Sequence, residues 1–484
     1  MKRGFLVLLL PLLVDQTFGS TPLLKDGNLR GLADLLNSQG RDILGDRRES
    51  SSARIGPRLL DAVVEWHTAD PAVGLKLPED SARPEAFDCS AEQFSGVLSG
   101  EVLDEPRPIV DFVLFGVDLD ALEIRLVELW SVVDLFVIYE TPRTLKATPK
   151  PMFYQLVKNS PRFRRYRNKI LHIAATEKDI ATFTKARRGY TARRTRDTKA
   201  AWVMYKSLGT EIVKQFSAIL RTNITLRSRF VDDATWATQN DADELPSRHA
   251  LLHVKHCEIK ADMTNLYLPT FSFKKNFHHL QRENRPMCLT GGGINNGTRE
   301  LLRFVWPSGP YLWPLKTIMG SQSTLRGQSK LQCGFRCALT EESCAHHMGL
   351  GSGIHISSVA EPVMYWFKRW GVIEQNPSGA ISKEMAIALW NHNITPSLIY
   401  TNAVVPWCKR GNPTTHVQSL SPSAADAVVM SIPRVVRQNP DRYPFLLPGN
   451  VSHPRNGNVR TTADIAWTQR CEQMGEKGLG RRRR

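Results

Sequence analysis

A pattern of strand, helix and strand between Ile109 and Glu140 limits the fold more than any other feature of the chain. Residues 109–117, IVDFVLFGV, and residues 134–140, DLFVIYE, are apolar runs rich in β-branched and aromatic residues, so both predict buried strands. Between them, leucines recur at spacings of three and four, which predicts a helix: Leu119, Leu122, Leu126 and Leu129. Asp118 or Asp120 is placed to cap its start. Such a βαβ unit predicts an α/β fold with a mainly parallel central sheet.

The segments that follow continue this alternation. Residues 167–175 predict a third strand, residues 198–216 a long helix and residues 249–258 a short helix. A strand-like segment ends at Asn240, and residues 263–275 alternate like another strand. Pro106 and Pro108 mark a boundary before the first strand, so we expect one folded domain over residues 108–455.

Three carboxylates lie within four positions where the strand before them ends: Asp241, Asp243 and Glu244. Like charges this close repel each other unless a cation lies among them. Carboxylate oxygens suit Mg²⁺ and Mn²⁺, and open α/β sheets bind ligands at the carboxyl ends of their strands. The cluster therefore predicts a turn that holds a divalent cation and, through it, the diphosphate of a sugar nucleotide. A solvated acidic turn is the alternative.

The N-terminal stretch MKRGFLVLLLPLLVDQTFGS has the basic start, the apolar run and the small residues of a secretory signal. The run from Phe5 to Val14 is shorter than the about 20 residues that a membrane-spanning helix needs. Residues 1–19 are therefore predicted to be a signal peptide or a short signal anchor, residues 20–107 a stem or linker, and residues 456–484 a basic tail. Eight cysteines and four glycosylation sequons agree with entry into an oxidising compartment; the sequons are at Asn223, Asn296, Asn393 and Asn450.

The formal charge of +17 is concentrated in two basic clusters, KARRGYTARRTRDTK at residues 185–199 and the terminal GRRRR. An excess of basic residues favours phosphate-bearing or other anionic partners. Export of the chain argues against nucleic acid as the partner. Arg188 is a candidate to neutralise a donor diphosphate, because guanidinium groups suit phosphate oxygens. A solvated surface loop is the alternative.

Three segments of the chain resemble glycosyltransferase family 17, the family of the β-1,4-mannosyl-glycoprotein 4-β-N-acetylglucosaminyltransferases. Residues 111–154 are similar to its opening block, residues 232–248 (DDATWATQNDADELPSR) to its D-x-D block, and residues 423–450 to its C-terminal block. Residues 333–344, CGFRCALTEESC, depart from the family's GWHCSWCF-type segment, since Phe335 and Arg336 stand where it has Trp-His. The acceptor therefore stays open.

The resemblance implies a GT-A-like fold and a metal-dependent, inverting transfer of N-acetylglucosamine from UDP-N-acetylglucosamine to a mannose of an N-glycan, in the β-1,4, bisecting linkage. It also implies Mn²⁺ (or Mg²⁺) as the cofactor and an N-glycan or glycoprotein acceptor. The implied location is the Golgi lumen or membrane, with membrane association through the N-terminus; secretion is the alternative. Matched residue by residue, Asp241 and Asp243 fall on the D-x-D positions that bind donor and metal, and Glu244 falls on the acid that follows. We expect Asp243 to contact the metal directly, Asp241 to act on the ribose or through water, and Glu244 to orient the loop or the acceptor.

An inverting transfer also needs a base that takes the proton of the acceptor hydroxyl. Glu140, at the end of the second predicted strand, is a candidate, and a hydrogen-bonded structural acid is the alternative. Glu123, Arg125 and Glu128 on the first helix are interpreted as mainly structural, with Arg125 and Glu128 spaced to pair. A related transferase with another donor or acceptor and a secreted carbohydrate-binding pseudo-enzyme stay open as alternative functions.

Overall fold

The computed structural model of the chain describes residues 88–143, 152–176, 178–179, 198–230, 234–274, 276–282, 289, 298–306, 309–320, 347–356, 414–439, 442–443 and 446. The expectations for residues 1–19, for most of the stem, for Arg188, for residues 333–344 and for the basic tail lie outside the described residues. None of the helices described is long and apolar enough to cross a membrane.

The elements of the described part agree with the pattern of the sequence from residue 109 to residue 256, with ends that shift by a few residues. The strands are, in chain order, β1 (Leu98–Val102), β2 (Ile109–Phe115), β3 (Leu135–Glu140), β4 (Ile170–Ala174), β5 (Trp236–Asp241), β6 (Glu244–Pro246), β7 (Cys257–Ile259), β8 (Leu266–Tyr267), β9 (Thr270–Lys274), β10 (Asn276–Gln281), β11 (Val305–Trp306), β12 (Tyr311–Pro314), β13 (Gly353–His355) and β14 (Thr414–His416). The α-helices are α1 (Leu119–Leu129), α2 (Phe153–Val157), α3 (Thr198–Thr222), α4 (Ile224–Phe230), α5 (Arg248–His256), α6 (Leu315–Gly320), α7 (Pro422–Ser431) and α8 (Arg434–Gln438). Short 3₁₀ helices cover Glu92–Phe94, Arg164–Lys169, Arg299–Phe304 and Val417–Ser419.

A six-stranded sheet forms the centre of the fold, with the strand order β4-β3-β2-β5-β12-β8. Strands β2 to β5 are parallel, so the predicted βαβ unit is confirmed, whereas β12 and β8 add an antiparallel edge that was not predicted. The chain adds β3 and β4 on one side of β2 and then β5 on the other, so the direction of winding reverses between β2 and β5. In open α/β sheets, the carboxyl ends of the strands at such a reversal form a crevice that binds ligands.

Helices α1 and α3 cover opposite faces of the central sheet. Side chains alternate between the two faces along a strand, so the neighbours Asp111 and Phe112 of β2 point in opposite directions. Asp111 binds Arg125 of α1, whereas the ring of Phe112 packs edge-on against Phe216 of α3, with ring centroids 5.1 Å apart. Every residue of β2 is buried, as a strand covered on both faces requires.

Helix α1 buries its charged residues as well as its leucines, so those charges need partners in the interior. Glu123 accepts a hydrogen bond from Arg162 at 2.8 Å and also binds Arg442. Burial by itself raises the pKa of Glu123, but the charges of Arg162 and Arg442 outweigh it and hold this pKa below its usual value. Glu128 accepts from the backbone N–H of Val435 in α8 at 3.0 Å. These contacts agree with a structural role for the acids of α1.

A second six-stranded sheet, which was not predicted, has the order β14-β10-β9-β13-β6, with β11 paired to β9. Its pairs are antiparallel except for β13 and β9. Residues 263–275, expected as one strand, form β8 and β9 in different sheets, with Pro269 between them. Proline cannot donate to a strand ladder, so it separates the two pieces. Apart from β9, the strands of this sheet are short and scattered along the chain, so no local pattern revealed them.

The segment from Cys89 to Val102, which the sequence assigned to the stem, packs on the rest of the fold. β1 pairs with β7 in the antiparallel direction, and a disulfide joins Cys89 to Cys257 across 168 positions. Phe94 is buried against His253, with ring centroids 4.2 Å apart. A cross-link that closes so long a loop stabilises the fold by about 5 kcal/mol in the chain-entropy model. The other six cysteines lie outside the described residues.

Candidate active site

The acidic cluster forms the turn by which the chain leaves the central sheet and enters the second sheet. Asp241 is the last residue of β5 and Glu244 is the first residue of β6, so Ala242 and Asp243 make the turn between them. Asp241 lies beside Leu114, near the carboxyl end of β2, in the parallel register. The cluster therefore lies at the winding reversal between β2 and β5, where an open α/β sheet binds its ligand.

The carboxylates of this turn are mostly shielded from solvent. The exposed fraction is 6% for Asp243 and 2% for Glu244, and Asp241 is half-buried. Carboxylates at such a depth need hydrogen-bonding or charged partners to be stable. Their burial argues against a merely solvated acidic turn.

Arg125 of α1 holds the backbone of the acidic turn. Its Nη1 donates to the carbonyl oxygens of Asp241 and Glu244, at 3.0 and 2.7 Å. Its Nε and Nη2 donate to the two carboxylate oxygens of Asp111, at 2.6 and 2.7 Å, and Thr238 also donates to Asp111. A forked guanidinium suits such two-point binding, and Asp111 neutralises its buried charge. Arg125 therefore pairs with Asp111, and the pairing expected with Glu128 from the helical spacing was wrong.

His355 of β13 is a further residue at this turn, and no local sequence pattern indicated it. Its Nε2 lies 3.5 Å from Oδ2 of Asp243, and its Nδ1 lies 3.5 Å from Oγ of Ser272. Ser272 in turn donates to Gln281 at 3.4 Å, and the ring of Trp306 lies 4.6 Å from that of His355. All four polar side chains are buried, so a chain of polar groups extends from Asp243 into the second sheet. A single histidine in a three-residue strand has no local signature, so only the pairing of β13 with β6 identifies it.

Glu140 lies at the same edge of the central sheet, two strands away from Asp241 in the order β3-β2-β5. Strands are about 4.8 Å apart, so the two backbones are separated by about 10 Å. The two carboxylate oxygens of Glu140 accept from the backbone N–H groups of Tyr154 and Gln155, at 2.9 and 3.0 Å, and His172 Nε2 lies 3.3 Å away. Glu140 is completely buried and ties the first turn of α2 to β3. These contacts favour the structural alternative for Glu140.

A further buried acid, Asp118, follows β2 at the winding reversal. It occupies the N-cap position of α1, as expected, but its side chain makes no capping hydrogen bond, and its exposed fraction is 7%. Asp120, the other expected cap, binds Arg162 instead. The carboxyl ends of β2 and β5 therefore both lead into buried acids.

The turn supplies a small set of donors for a cation. No group of three or more His, Cys, Asp and Glu side chains within the described ranges lies close enough together to hold a metal on its own. Mg²⁺ is commonly bound by one or two carboxylates together with phosphates of the substrate, so a smaller protein ligand set suffices. Asp241 and Asp243 offer the carboxylate oxygens that suit Mg²⁺ and Mn²⁺. The donors present fit a cation that is shared with a diphosphate.

The fold is an open α/β sheet with buried acids at its winding reversal. Proteins of this class bind ligands at the carboxyl ends of their strands. In a comparison with protein families, the model of glycosyltransferase family 17 matches residues 85–289. The resemblance predicted from the sequence is thereby confirmed over residues 85–289. The matched range contains Arg125, Glu140 and the whole acidic turn, and it ends before His355. Neither a curated protein nor a solved structure matches the chain.

Proposed function

We propose that the chain is a metal-dependent, inverting N-acetylglucosaminyltransferase that uses UDP-N-acetylglucosamine. The proposed acceptor is a mannose hydroxyl of an N-glycan, and the proposed product has the β-1,4, bisecting linkage. The family match supports glycosyl transfer. The observation that carries the finer proposal is the shielded acidic turn at the winding reversal, whose backbone is fixed by Arg125.

Asp243 and Asp241 are the residues that would hold Mn²⁺ (or Mg²⁺). When bound, the ion neutralises the charge that develops on the leaving diphosphate. The backbone N–H of Ile356 donates to the carbonyl of Asp243 at 2.8 Å, and His355 lies beside the carboxylate of Asp243. These two contacts from the β13 segment keep Asp243 in position, as outer partners do for a metal ligand. Arg188 remains a proposed ligand of the donor diphosphate.

The transfer forms a bond between the acceptor oxygen and C1 of the sugar, while the bond from C1 to the β-phosphate oxygen of UDP breaks. The proton of the acceptor hydroxyl passes to a carboxylate. We assign this role to Glu244 and not to Glu140, because both oxygens of Glu140 already accept backbone N–H groups. Glu244 follows Asp243 directly and lies opposite His355 in the antiparallel register, so it belongs to the same cluster.

The same proposal places the protein in the secretory pathway, in the Golgi lumen or at its membrane through residues 1–19. The disulfide between Cys89 and Cys257 supports an oxidising compartment. The proposed partners are a UDP-sugar and a glycoprotein or free N-glycan, and nucleic acid is not among them.

The decisive experiment incubates the purified full chain with a panel of UDP-sugars and defined N-glycans, with and without Mn²⁺, and determines the product linkage by NMR. We expect turnover with UDP-N-acetylglucosamine that depends on the metal. Asp243→Asn removes the charge that faces the metal and should lower kcat by about 100-fold or more, as loss of one transition-state contact does elsewhere. The matched control is Asp262→Asn, which alters an exposed acid on the turn between β7 and β8 and should leave kcat unchanged.

Three outcomes would contradict the proposal. Metal-independent turnover, or full activity of Asp243→Asn, would exclude the acidic turn as the metal site. Turnover with a different UDP-sugar or on a different acceptor would favour the related-transferase alternative. Glycan binding without turnover from any donor would favour a carbohydrate-binding pseudo-enzyme.

A further inference from the structure

The corner between helices α3 and α4 carries a glycosylation sequon, Asn223-Ile224-Thr225. Helix α3 ends at Thr222 and α4 begins at Ile224, so Asn223 is the single residue between them. All three residues of the sequon are exposed, and the exposed fraction of Ile224 reaches 83%. The other three sequons of the chain lie outside the described residues.

Asn223 caps α4 with one atom of its side chain. Its Oδ1 accepts a hydrogen bond from the backbone N–H of Leu226 at 3.0 Å, and its carbonyl oxygen accepts from the N–H of Arg227 at 2.9 Å. This is the N-cap arrangement that asparagine favours, because it satisfies a free N–H of the first helical turn. The capping hydrogen bond uses Oδ1, and the amide nitrogen Nδ2 takes no part in it.

We propose that Asn223 is N-glycosylated in the folded, exported protein. Nδ2 of Asn223 forms a bond with C1 of an oligosaccharide that is carried on a polyprenyl diphosphate. The bond between C1 and the diphosphate oxygen breaks, the lipid diphosphate departs with the electron pair, and one amide proton is released. The product is a secondary amide that keeps Oδ1, so the modified residue still caps α4.

The glycan lies on the edge of the sheet that is opposite to the acidic turn. Helix α4 precedes the amino end of β5, and Arg229 of α4 lies 3.7 Å from Asp134, the residue before β3. Asp241 is at the other end of β5, and six residues of strand separate the two edges by about 17 Å. A glycan at Asn223 therefore leaves the candidate active site open.

This inference does not depend on the proposed transferase activity. It depends on export of the chain. The N-terminal sequence is typical of exported proteins. The disulfide between Cys89 and Cys257 also supports export. Its test therefore reads the covalent state of Asn223 and not turnover.

The test expresses the full chain with its own N-terminus in cultured animal cells and isolates the tryptic peptide TNITLR, residues 222–227. Enzymatic release of N-glycans in heavy-oxygen water converts a glycosylated asparagine to aspartate that carries the heavy oxygen, which mass spectrometry detects. We expect this label at residue 223 in most molecules. An unmodified Asn223 in the peptide overturns the proposal, whichever compartment the chain occupies.

Three variants serve as matched controls. Asn223→Asp retains a capping oxygen and removes the acceptor nitrogen, and Thr225→Ala retains the whole cap and removes the sequon. Both variants should lose the mass of one glycan and keep the unfolding midpoint of the enzymatically deglycosylated wild type, whereas Thr225→Ser should keep the glycan. If Thr225→Ala retains the modification, the glycan is attached elsewhere and the assignment to Asn223 is wrong.

Discussion

Arg125 and Asp111 form a two-point ion pair in the interior, with Nε and Nη2 of Arg125 at 2.6 and 2.7 Å from the two carboxylate oxygens of Asp111. Both side chains are completely inaccessible to solvent. The remaining nitrogen, Nη1, donates to the carbonyls of Asp241 and Glu244. A salt bridge between α1 and β2 thus supports the turn that carries the candidate active site.

Removal of this guanidinium should destabilise the fold. Arg125→Met leaves Asp111 buried without its countercharge and should lower the free energy of unfolding by about 3–5 kcal/mol, measured by denaturant titration. Arg125→Lys retains a charge but not the fork, so it should cost less stability and still lower kcat by about 10-fold or more, because the two carbonyls lose their donor. Arg164→Lys, at an exposed position, is the control for both measurements. If Arg125→Lys had the same kcat as the wild type, the acidic turn would not need the forked guanidinium of Arg125.

His355 should affect the metal without binding substrate. His355→Gln removes the imidazole beside Asp243, and loss of such an outer partner typically weakens metal affinity by about 10- to 100-fold. We expect the concentration of Mn²⁺ that gives half-maximal activity to rise by that factor, with less change in KM for the donor. The control is His347→Gln, another buried histidine, whose Nδ1 lies 2.8 Å from the carbonyl of Met348. Equal responses of the two variants to Mn²⁺ would refute a specific role for His355.

Glu140 should matter for stability more than for chemistry. In Glu140→Gln one of the two backbone N–H groups of α2 loses its acceptor, which should cost about 1–3 kcal/mol of unfolding free energy. The pH dependence of kcat should keep its shape, because the proposed proton acceptor is Glu244. A loss of kcat by about 1,000-fold at unchanged stability would instead identify Glu140 as the base.

The histidines of α5 should make the fold less stable in mild acid. Burial lowers the pKa of His253, and hydrogen bonds with the His249 and Asp88 backbones and the charge of Asp88 oppose this only in part. The pKa of the half-buried His256 is lowered as well, first by burial and then by the charge of Lys255. The unfolded side chains have a pKa of about 6.5, so the unfolded state binds more protons below that pH.

The sign follows from this proton balance. The contribution of these histidines to stability is complete above about pH 6.5 and is lost as the pH falls through their lowered pKa values, so the free energy of unfolding should decrease below about pH 6.5. Denaturant titrations at a series of pH values measure this slope, and His253→Gln should reduce it. An unchanged slope in that variant would exclude His253 as a source of the pH dependence.

The local pattern of the sequence was sufficient for the parallel core of the fold and for the position of the acidic turn. Buried strands and an amphipathic helix leave periodic apolar runs, so the unit from Ile109 to Glu140 was readable without coordinates. The cluster of Asp241, Asp243 and Glu244 is an equally local signal. Carboxylates so close along the chain repel each other in any fold, so the need for a compensating partner could be inferred from the sequence alone. Apart from β9, the strands of the second sheet left no such trace, since they are short and are stabilised by pairing with distant partners.

By itself, then, the sequence determined an α/β core that resembles glycosyltransferase family 17 and an acidic turn after β5. Only the tertiary structure decided that Arg125 pairs with Asp111, that His355 lies beside Asp243, that Glu140 anchors α2 and that Cys89 is bonded to Cys257. The physical reason is that periodicity reports which face of an element is buried, whereas the partner of a buried charge depends on which elements meet across the core.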